Sequence, residues 1–299
     1  MSNRAVKTRK WLRRQSLKWI ARLIRFCARL LPYRLGVWSG GVLGFIAFYA
    51  LPRERKRALQ HLNLVFHEKG DVWLRRTARR CFMHLGKALL EAMLMDTARL
   101  ARIVDFQGEE KLQNAIDQGK GVVFVTGHIG NWELLAGAVA QRYSVSVVAA
   151  PIEPEEVNDM ILSLRAGLGV RTILRGKPGA SRELIRVFKE NRMLGILIDQ
   201  DTDVESVFVD FMGMPAWTPT AAASMALKFG APLLFGFIRR GENNRHMITV
   251  EGPLELMRTG DDEKDITVNT AMLTKKIESS ILENPEQWVW MHRRWRRQP

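Results

Sequence analysis

The sequence has few cysteines and lacks the common motifs of covalent, metal and nucleotide chemistry. Cys27 and Cys81 are its two cysteines, too few for a disulfide framework and without metal-ligand spacing. It has no Gly-x-Ser-x-Gly motif, which argues against a serine acyl-enzyme. It also lacks a His-Glu-x-x-His pair, a phosphate loop and a Gly-x-Gly-x-x-Gly run. We therefore expect neither a metal nor a cofactor.

Acidic residues are missing from the first 53 positions. Twelve Lys and Arg residues precede the first acid, Glu54, and the other 34 basic residues face 31 acids. Most of the net charge of +15 therefore lies in the first sixth of the chain. A basic block interleaved with apolar residues is typical of contact with anionic membrane lipids. This pattern favours membrane lipids over nucleic acid as the partner.

Residues 11–31 fit a helical period with an apolar face and an arginine-rich face, which predicts an amphipathic helix lying in a membrane interface. The uncharged stretch from Leu35 to Leu51 would reach only ~25 Å as a helix, which is marginal for a bilayer. A shallow or re-entrant anchor is as compatible with it as a full span. The alternatives are a solvated charged face on a core helix, a signal peptide and a twin-arginine signal. We expect a membrane-anchoring segment over residues 1–52 and a catalytic domain over residues 53–299.

The catalytic part alternates between short apolar runs and helical periods. Helices are predicted over residues 59–101, 131–141, 155–168, 180–190 and 221–229, and strands over 121–126, 145–150, 193–198, 232–238 and 245–250. This alternation predicts an α/β fold with a mostly parallel central sheet flanked by helices, preceded by an N-terminal helical membrane anchor.

His128 lies in the turn between a predicted buried strand and the next helix. Ligands of open α/β sheets bind at such carboxyl ends of strands, and His is the usual general base near neutral pH. Glu133 falls in the first turn of the following helix, where its carboxylate can orient the ring of His128. His246 and Glu251 have the same spacing, but in a strand an odd separation puts their side chains on opposite faces. The sequence thus predicts His128 and Glu133 as the catalytic pair.

Donors for a developing oxyanion are expected nearby. The candidates are backbone N–H groups of the helix that opens at Asn131, with Arg165 and Arg175 as charged helpers. A second polar group, Asp199-Gln200-Asp201, ends another predicted strand at the same edge of the sheet. We expect Asn131, Arg165, Arg175 and these three residues to bind the substrate; the alternative for the two acids is an ordinary turn cap.

The chain resembles the lipid A secondary acyltransferases of Gram-negative bacteria, the lauroyl and myristoyl transferases. The matching pieces keep their order and are Gly127-His128-Ile129-Gly130-Asn131-Trp132-Glu133, Arg165 with Gly169, Asp199-Gln200-Asp201, residues 207–213, and the tail from Pro285 to Trp295. The family's His-x4-acid pair corresponds to His128 and Glu133.

The resemblance implies an O-acyltransferase with the α/β fold of the glycerol-phosphate acyltransferases. It implies an acyl carrier protein thioester as donor, an anionic lipid A precursor as acceptor, and a site on the cytoplasmic face of the bacterial inner membrane. The tail arginines 293, 294, 296 and 297 would serve an acidic carrier or lipid phosphates, or would simply be solvated. A lysophospholipid or another glycolipid stays open as the acceptor. A non-catalytic membrane-binding protein and a metallohydrolase are the alternatives of other classes.

Overall fold

A computed structural model describes residues 32–299 of the chain. The basic helix predicted over residues 11–31 lies outside the described residues. The described part opens with four helices and a short 3-10 turn at His67–Lys69: α1 (Tyr33–Ala50), α2 (Pro52–Val65), α3 (Gly70–Leu94) and α4 (Thr97–Ile103). Within residues 32–299, no single helix is long and apolar enough to cross a bilayer. Helices α1 and α2 meet that test only together, and the chain bends by 92° between them. The membrane anchor therefore stays a prediction.

Helix α1 packs on α3 through glycines. A Cβ added at Gly44 would lie 2.1 Å from the carbonyl oxygen of Phe82, and one added at Gly40 would lie 2.5 Å from that of Gly86. Such close backbone approach is possible only with small residues at the contact. The opposite side of α1 exposes Trp38 and Ile46, whose exposed fractions are 63% and 54%. Residues on both sides of the predicted boundary at Pro52 thus pack together, and the two-part division remains a prediction.

A seven-stranded sheet forms the centre of the protein, in the order β1-β9-β8-β2-β5-β3-β4. Five neighbouring strands from β8 to β4 run parallel, while β9 is antiparallel to β8 and parallel to β1. The strands are β1 (Val104–Gln107), β2 (Val122–Thr126), β3 (Val145–Ala149), β4 (Arg171–Leu174), β5 (Met193–Leu197), β8 (Leu233–Arg240) and β9 (His246–Glu251). The predicted α/β class with a mostly parallel sheet is confirmed.

Helices cover both faces of this sheet. They are α5 (Glu109–Ile116), α6 (Trp132–Ala140), α7 (Glu155–Gly167), α8 (Ala180–Lys189), α9 (Ala221–Phe229) and α10 (Asp262–Glu283). Alternate residues of β2 enter two separate cores. Val123 and Val125 pack with α3, α8, α9 and α10, whereas Val122 and Phe124 pack with α4, α5 and α6. The continuous apolar run of β2 follows from its burial on both faces.

Four of the observed strands were not predicted from the sequence. Strands β1 and β4 have only four residues each, too short to give a periodic signal. Strands β6 (Ser206–Phe211) and β7 (Met214–Pro219) form a separate antiparallel hairpin. Met212 and Gly213 connect them in a two-residue turn, both with positive φ. None of these four strands carries the predicted catalytic residues.

Candidate active site

The turn after β2 is shaped by a close backbone approach. Gly130 has a φ of +63°, and a Cβ there would lie 1.8 Å from the carbonyl oxygen of Ile238. The backbone N–H of Gly130 donates to the carbonyl oxygen of Gln287, so the turn is held from β8 and from the C-terminal segment. Only glycine can occupy this position without displacing β8. His128 therefore sits on a constrained turn rather than on a free loop.

The ring of His128 is hydrogen-bonded to Asp199. His128 Nδ1 lies 2.7 Å from Asp199 Oδ1, and the backbone N–H of His128 donates to Oδ2, also at 2.7 Å. The sheet register explains the contact, because Thr126 of β2 pairs with Leu197 of β5. His128 and Asp199 each follow these paired residues by two positions. Two adjacent parallel strands thus deliver the base and its carboxylate to the same point.

Asp199 is fully buried and stays ionised. Burial alone would raise the pKa of its carboxyl, but the charge of His128 and hydrogen bonds from the His128 ring, Trp288 and the His128 backbone N–H lower that pKa to about 2. A carboxylate accepts hydrogen bonds and cannot donate them, so its bond to His128 requires a proton on Nδ1. The other ring nitrogen, Nε2, is then the basic atom. The His128 side chain is 22% exposed, so this ring can reach a substrate.

The predicted partnership of Glu133 with His128 is wrong in its geometry. Glu133 instead forms a bidentate ion pair with Arg165, whose Nε and Nη2 donate at 2.9 and 2.7 Å. Glu133 opens α6 and Arg165 lies near the end of α7, so their pairing joins these two helices. At the strand end, Asp199 already occupies Nδ1 of His128. Whether Glu133 takes part in catalysis stays a prediction.

The other predicted site residues lie in three places: Asn131 precedes α6, Gln200 and Asp201 follow β5, and Arg175 follows β4. Asn131 is buried and its amide donates to Glu91 and to the carbonyl oxygen of Ala88, so its side chain holds the turn to α3. The buried carboxylate of Asp201 accepts from Arg296 at 2.9 Å and from the backbone N–H of Arg297. Gln200 is half-buried between the two acids. Arg175 follows β4, three strands away from β2, and its substrate role stays a prediction.

Two of the tail arginines pair with acids and a third is buried. Arg296 and Arg297 form ion pairs with Asp201 and Asp203. Arg294 is fully buried and donates to the carbonyl oxygen of Trp217 and to the hydroxyl of Thr218. The alternative of a merely solvated side chain is therefore wrong for Arg294, whereas Arg296 and Arg297 are paired but remain 40% and 33% exposed. Binding of an acidic carrier or of lipid phosphates by the tail stays a prediction. Arg293 remains exposed.

An apolar groove begins beside His128. The rings of His128 and Trp132 meet edge to face, with centroids 4.9 Å apart. Trp132, Glu133 and Arg165 line both a cavity of about 300 Å³ between α3 and α7 and a narrow slot of about 50 Å³ between α6 and the sheet. The remaining wall of the larger cavity is mostly aliphatic: Leu85, Ala88, Leu89, Ala92, Met93, Val157, Met160, Ile161, Leu164 and Leu168. The larger cavity is called the apolar groove below. The polar residues of the groove and of the slot thus lie near the His128 turn.

A second buried polar cluster lies behind the His128 turn and was not predicted from the sequence. Glu91 of α3 accepts hydrogen bonds from Tyr33, Asn131, Arg240 and His246. Glu91 has no solvent exposure. Its sequence signal is an acid on the apolar stripe of a helix, which is rare unless the acid is paired in the interior. This cluster fixes Asn131, and through it the start of α6.

The site combines a buried carboxylate, an accessible imidazole and an adjacent apolar groove. An imidazole oriented in this way can remove a proton from a hydroxyl group, and the carboxylate stabilises the imidazolium that forms. Within residues 32–299, no cluster of three or more His, Cys, Asp or Glu side chains is arranged to hold a metal ion. The arrangement suits proton transfer during attack on a substrate with a long apolar part.

Comparison with known proteins agrees with this chemistry. The family model for the bacterial lipid A biosynthesis acyltransferases matches residues 5–297. A phosphatidylinositol mannoside acyltransferase of Mycolicibacterium smegmatis is 26% identical and covers 85% of this chain and 84% of its own length. The Escherichia coli lipid A lauroyltransferase is 24% identical and covers 95% of this chain and 92% of its own length. The lipid A palmitoleoyltransferase of that species is 25% identical and covers 90% of this chain and 87% of its own length. The chain therefore belongs to the bacterial lipid A biosynthesis acyltransferase family.

Proposed function

We propose that this acyltransferase moves a fatty acyl chain from an acyl carrier protein thioester to a hydroxyl of a lipid A precursor. The observation that carries the proposal is the His128–Asp199 pair beside an apolar groove. The groove suits the hydrocarbon chain of the donor, which then lies with its thioester near His128. The family and the two relatives named for lipid A support this acceptor.

The reaction needs one proton to be moved twice. Nε2 of His128 removes the proton from the acceptor hydroxyl while its oxygen attacks the thioester carbonyl carbon. The tetrahedral intermediate collapses with cleavage of the carbon–sulfur bond, and the imidazolium returns the proton to the departing thiolate. Asp199 stabilises the imidazolium throughout. The ester product and a free carrier thiol account for all atoms.

Arg165 and the start of α6 supply the charge for the oxyanion in this scheme. Arg165 uses Nε and Nη2 for Glu133 and lies at the polar mouth of the groove. Preorganised donors aimed at a developing oxyanion contribute strongly to catalysis because they need no reorganisation. We assign Glu133 the role of holding Arg165 in place. Asn131, Gln200 and Arg175 keep their predicted roles in substrate binding as part of this proposal.

The proposal places the enzyme on the cytoplasmic face of the inner membrane. Support comes from α1, whose outer side exposes Trp38, Phe45, Ile46 and Tyr49. The guanidinium of Arg79 lies 5.9 Å from the ring centroid of Phe45, so a cation borders this apolar surface. Aromatic and apolar side chains bordered by cations suit the interface of an anionic membrane. The basic residues 1–31 would add to the same attraction.

An alternative acceptor is a phosphatidylinositol mannoside, because a relative of that name matches most of the chain. A transfer assay separates the acceptors. The full-length protein, on vesicles of anionic phospholipid, would receive acyl carrier proteins of varied chain length and either a lipid A precursor, a phosphatidylinositol mannoside or a lysophospholipid. Transfer to the lipid A precursor alone is the expected result. Transfer only to another acceptor would reassign the substrate, and no transfer to any would reject the function.

A deletion strain tests the same proposal in the cell. Mass spectrometry of its lipid A should show the loss of one acyl chain. Complementation with the wild-type gene should restore that chain, whereas complementation with His128→Ala should not. Unchanged lipid A in the deletion strain would exclude the lipid A precursor as the acceptor.

A further inference from the structure

The carboxylate of Asp199 is held at both oxygens. Oδ1 contacts the ring of His128, while Oδ2 accepts from the backbone N–H of His128 and from the indole N–H of Trp288, each at 2.7 Å. The two donors on Oδ2 come from segments 160 residues apart in the chain. With Oδ2 fixed by both, the plane of the carboxylate is set and Oδ1 points at the imidazole. The indole of Trp288 thus helps to set the orientation of the Asp199 carboxylate, which in turn orients the His128 ring.

Trp288 is itself anchored to the catalytic turn. It forms a β-bridge with Ile129, and the preceding Gln287 accepts from the backbone N–H of Gly130 at 2.9 Å. The thiol of Cys81 donates to the carbonyl oxygen of Trp288 at 2.9 Å. The backbone of Trp288 is therefore tied to the same turn that carries His128 and to α3. This anchoring fixes the distance between the indole N–H of Trp288 and the carboxylate of Asp199.

Burial makes this hydrogen bond important. Asp199 and Trp288 are each only 1% exposed, so water cannot replace the indole when it is lost. A buried carboxylate that loses a donor must find another partner or rotate. Rotation would move Oδ1 away from His128 Nδ1 and would free the ring to turn. Loss of the indole N–H would therefore disturb the orientation of the His128 ring and leave the apolar groove unchanged.

We propose that Trp288 is a positioning residue that orients the Asp199 carboxylate toward the His128 ring through its indole N–H. The inference rests on the proposed acyl transfer, because it deepens the account of the same site. Trp288 does not touch the reacting atoms, so its effect must pass through Asp199. It follows that Trp288, although it lies far from His128 in the chain, supports the catalytic pair.

Trp288→Phe tests the inference because phenylalanine keeps an aromatic ring and removes only the donor and part of the volume. We expect kcat to fall about tenfold or more, in line with the loss of one hydrogen bond to a charged group, while the KM for the acyl donor stays unchanged. Trp290→Phe is the matched control, since Trp290 is equally buried and its indole donates to the carbonyl oxygen of Pro285 instead. An equal loss of kcat in Trp290→Phe would mean that loosening of the segment explains the effect, and would overturn the inference.

A double-mutant cycle tests whether Trp288 acts through Asp199. In an Asp199→Ala background, Trp288→Phe should lower kcat no further, because the acceptor of its hydrogen bond is already gone. Multiplicative losses would overturn the proposed route. Circular dichroism and thermal unfolding of each variant confirm that folded protein is compared.

A readout without substrate separates this inference from the proposed function. In protein labelled with 15N-histidine, the ring signal of His128 is identified by its absence in His128→Ala. We expect Trp288→Phe to shift that signal and Trp290→Phe to leave it in place. If the wild-type protein transfers no acyl chain but the shift is observed, the proposed function fails and the positioning role stands. An unmoved His128 signal in Trp288→Phe would overturn the positioning role, whatever the activity.

Discussion

Within residues 32–299, two histidines contact a buried carboxylate, and the two pairs differ in their surroundings. His128 and Asp199 meet at the carboxyl edge of the sheet, where the His128 side chain is 22% exposed beside an apolar groove. His246 and Glu91 meet in the interior, where neither side chain is exposed. Glu91 also forms a bidentate ion pair with Arg240. A histidine next to a carboxylate is therefore not sufficient for a catalytic site.

The difference lies in access and in charge. The Glu91 carboxylate already has a permanent cation, Arg240, at 2.6 Å. Asp199 accepts its hydrogen bonds from the His128 ring and from two neutral N–H groups, while Arg294 affects it only through space. A cation that forms on His128 during proton transfer is thus stabilised directly by Asp199. The His128–Asp199 pair is suited to proton transfer. The pair of His246 and Glu91 helps to hold the His128 turn in place, because Glu91 also accepts from Asn131.

The largest expected effect is that of removing the base. In His128→Ala we expect kcat to fall about 10²–10⁴-fold, the usual contribution of a general base. The free energy of unfolding should also fall, because the buried Asp199 loses its ring partner. His246→Asn should instead lower the free energy of unfolding while the folded enzyme keeps its kcat. Steady-state transfer assays and urea unfolding measure the two quantities, and a large kcat loss in His246→Asn would show that the interior pair also serves the reaction.

The next test separates the observed carboxylate partner from the one predicted by sequence. Asp199→Asn should lower kcat about 10²-fold or more, because the amide no longer stabilises the imidazolium. Glu133→Gln removes a charge from the pair with Arg165 and not from His128. We expect Glu133→Gln to lower kcat less than Asp199→Asn does, because it loosens Arg165, the proposed oxyanion donor, and leaves the His128–Asp199 pair intact. Loss of kcat in Glu133→Gln equal to that in Asp199→Asn would restore Glu133 as a catalytic partner.

The third test concerns the interior pair. Glu91→Gln leaves the charge of Arg240 buried and uncompensated, which costs about 3–5 kcal/mol. Urea unfolding followed by tryptophan fluorescence would measure this loss. Asp199→Asn should destabilise the protein less, since no ion pair with an arginine is broken there. A Glu91→Gln variant of wild-type stability would show that the interior cluster contributes little to the fold.

The smallest expected effect is a dependence of stability on pH near the interior cluster. Burial, and then the charge of Arg240, lower the pKa of His84 to about 3 from an ordinary value of 6.5. Below pH 6.5 the unfolded chain takes up a proton that the folded protein refuses, so stability falls as the pH decreases toward 3. Between pH 7 and pH 5 this contribution amounts to about 2 kcal/mol.

His84→Gln should remove that part of the pH dependence. Burial lowers the pKa values of His292 and His61 in the same way, so a residual slope will remain in the variant. Thermal unfolding at pH 5, 6 and 7 measures the slopes. An unchanged slope in His84→Gln would mean that this ring is not held neutral in the interior.

Local features of the site could be predicted because they depend on neighbours in the chain. The apolar run of β2 predicts a buried strand, and the glycines around His128 predict a tight turn, as observed. The position of Asp199 after β5 was predicted for the same reason. His246 and Glu251 were expected to lie apart in a strand, and they contact Glu91 and Lys276 instead.

The residues at the ends of buried strands can be predicted from the order of apolar runs and turns, because that order is a local property of the chain. Which of those residues meet depends on how the strands and helices pack. His128 pairs with Asp199 because β2 lies next to β5 in register, and the C-terminal Trp288 completes the contact from a distant segment. The order of the strands and the position of the C-terminal segment arise from packing between elements that are remote in the chain. Neither can be predicted from the spacing of His128 and Glu133.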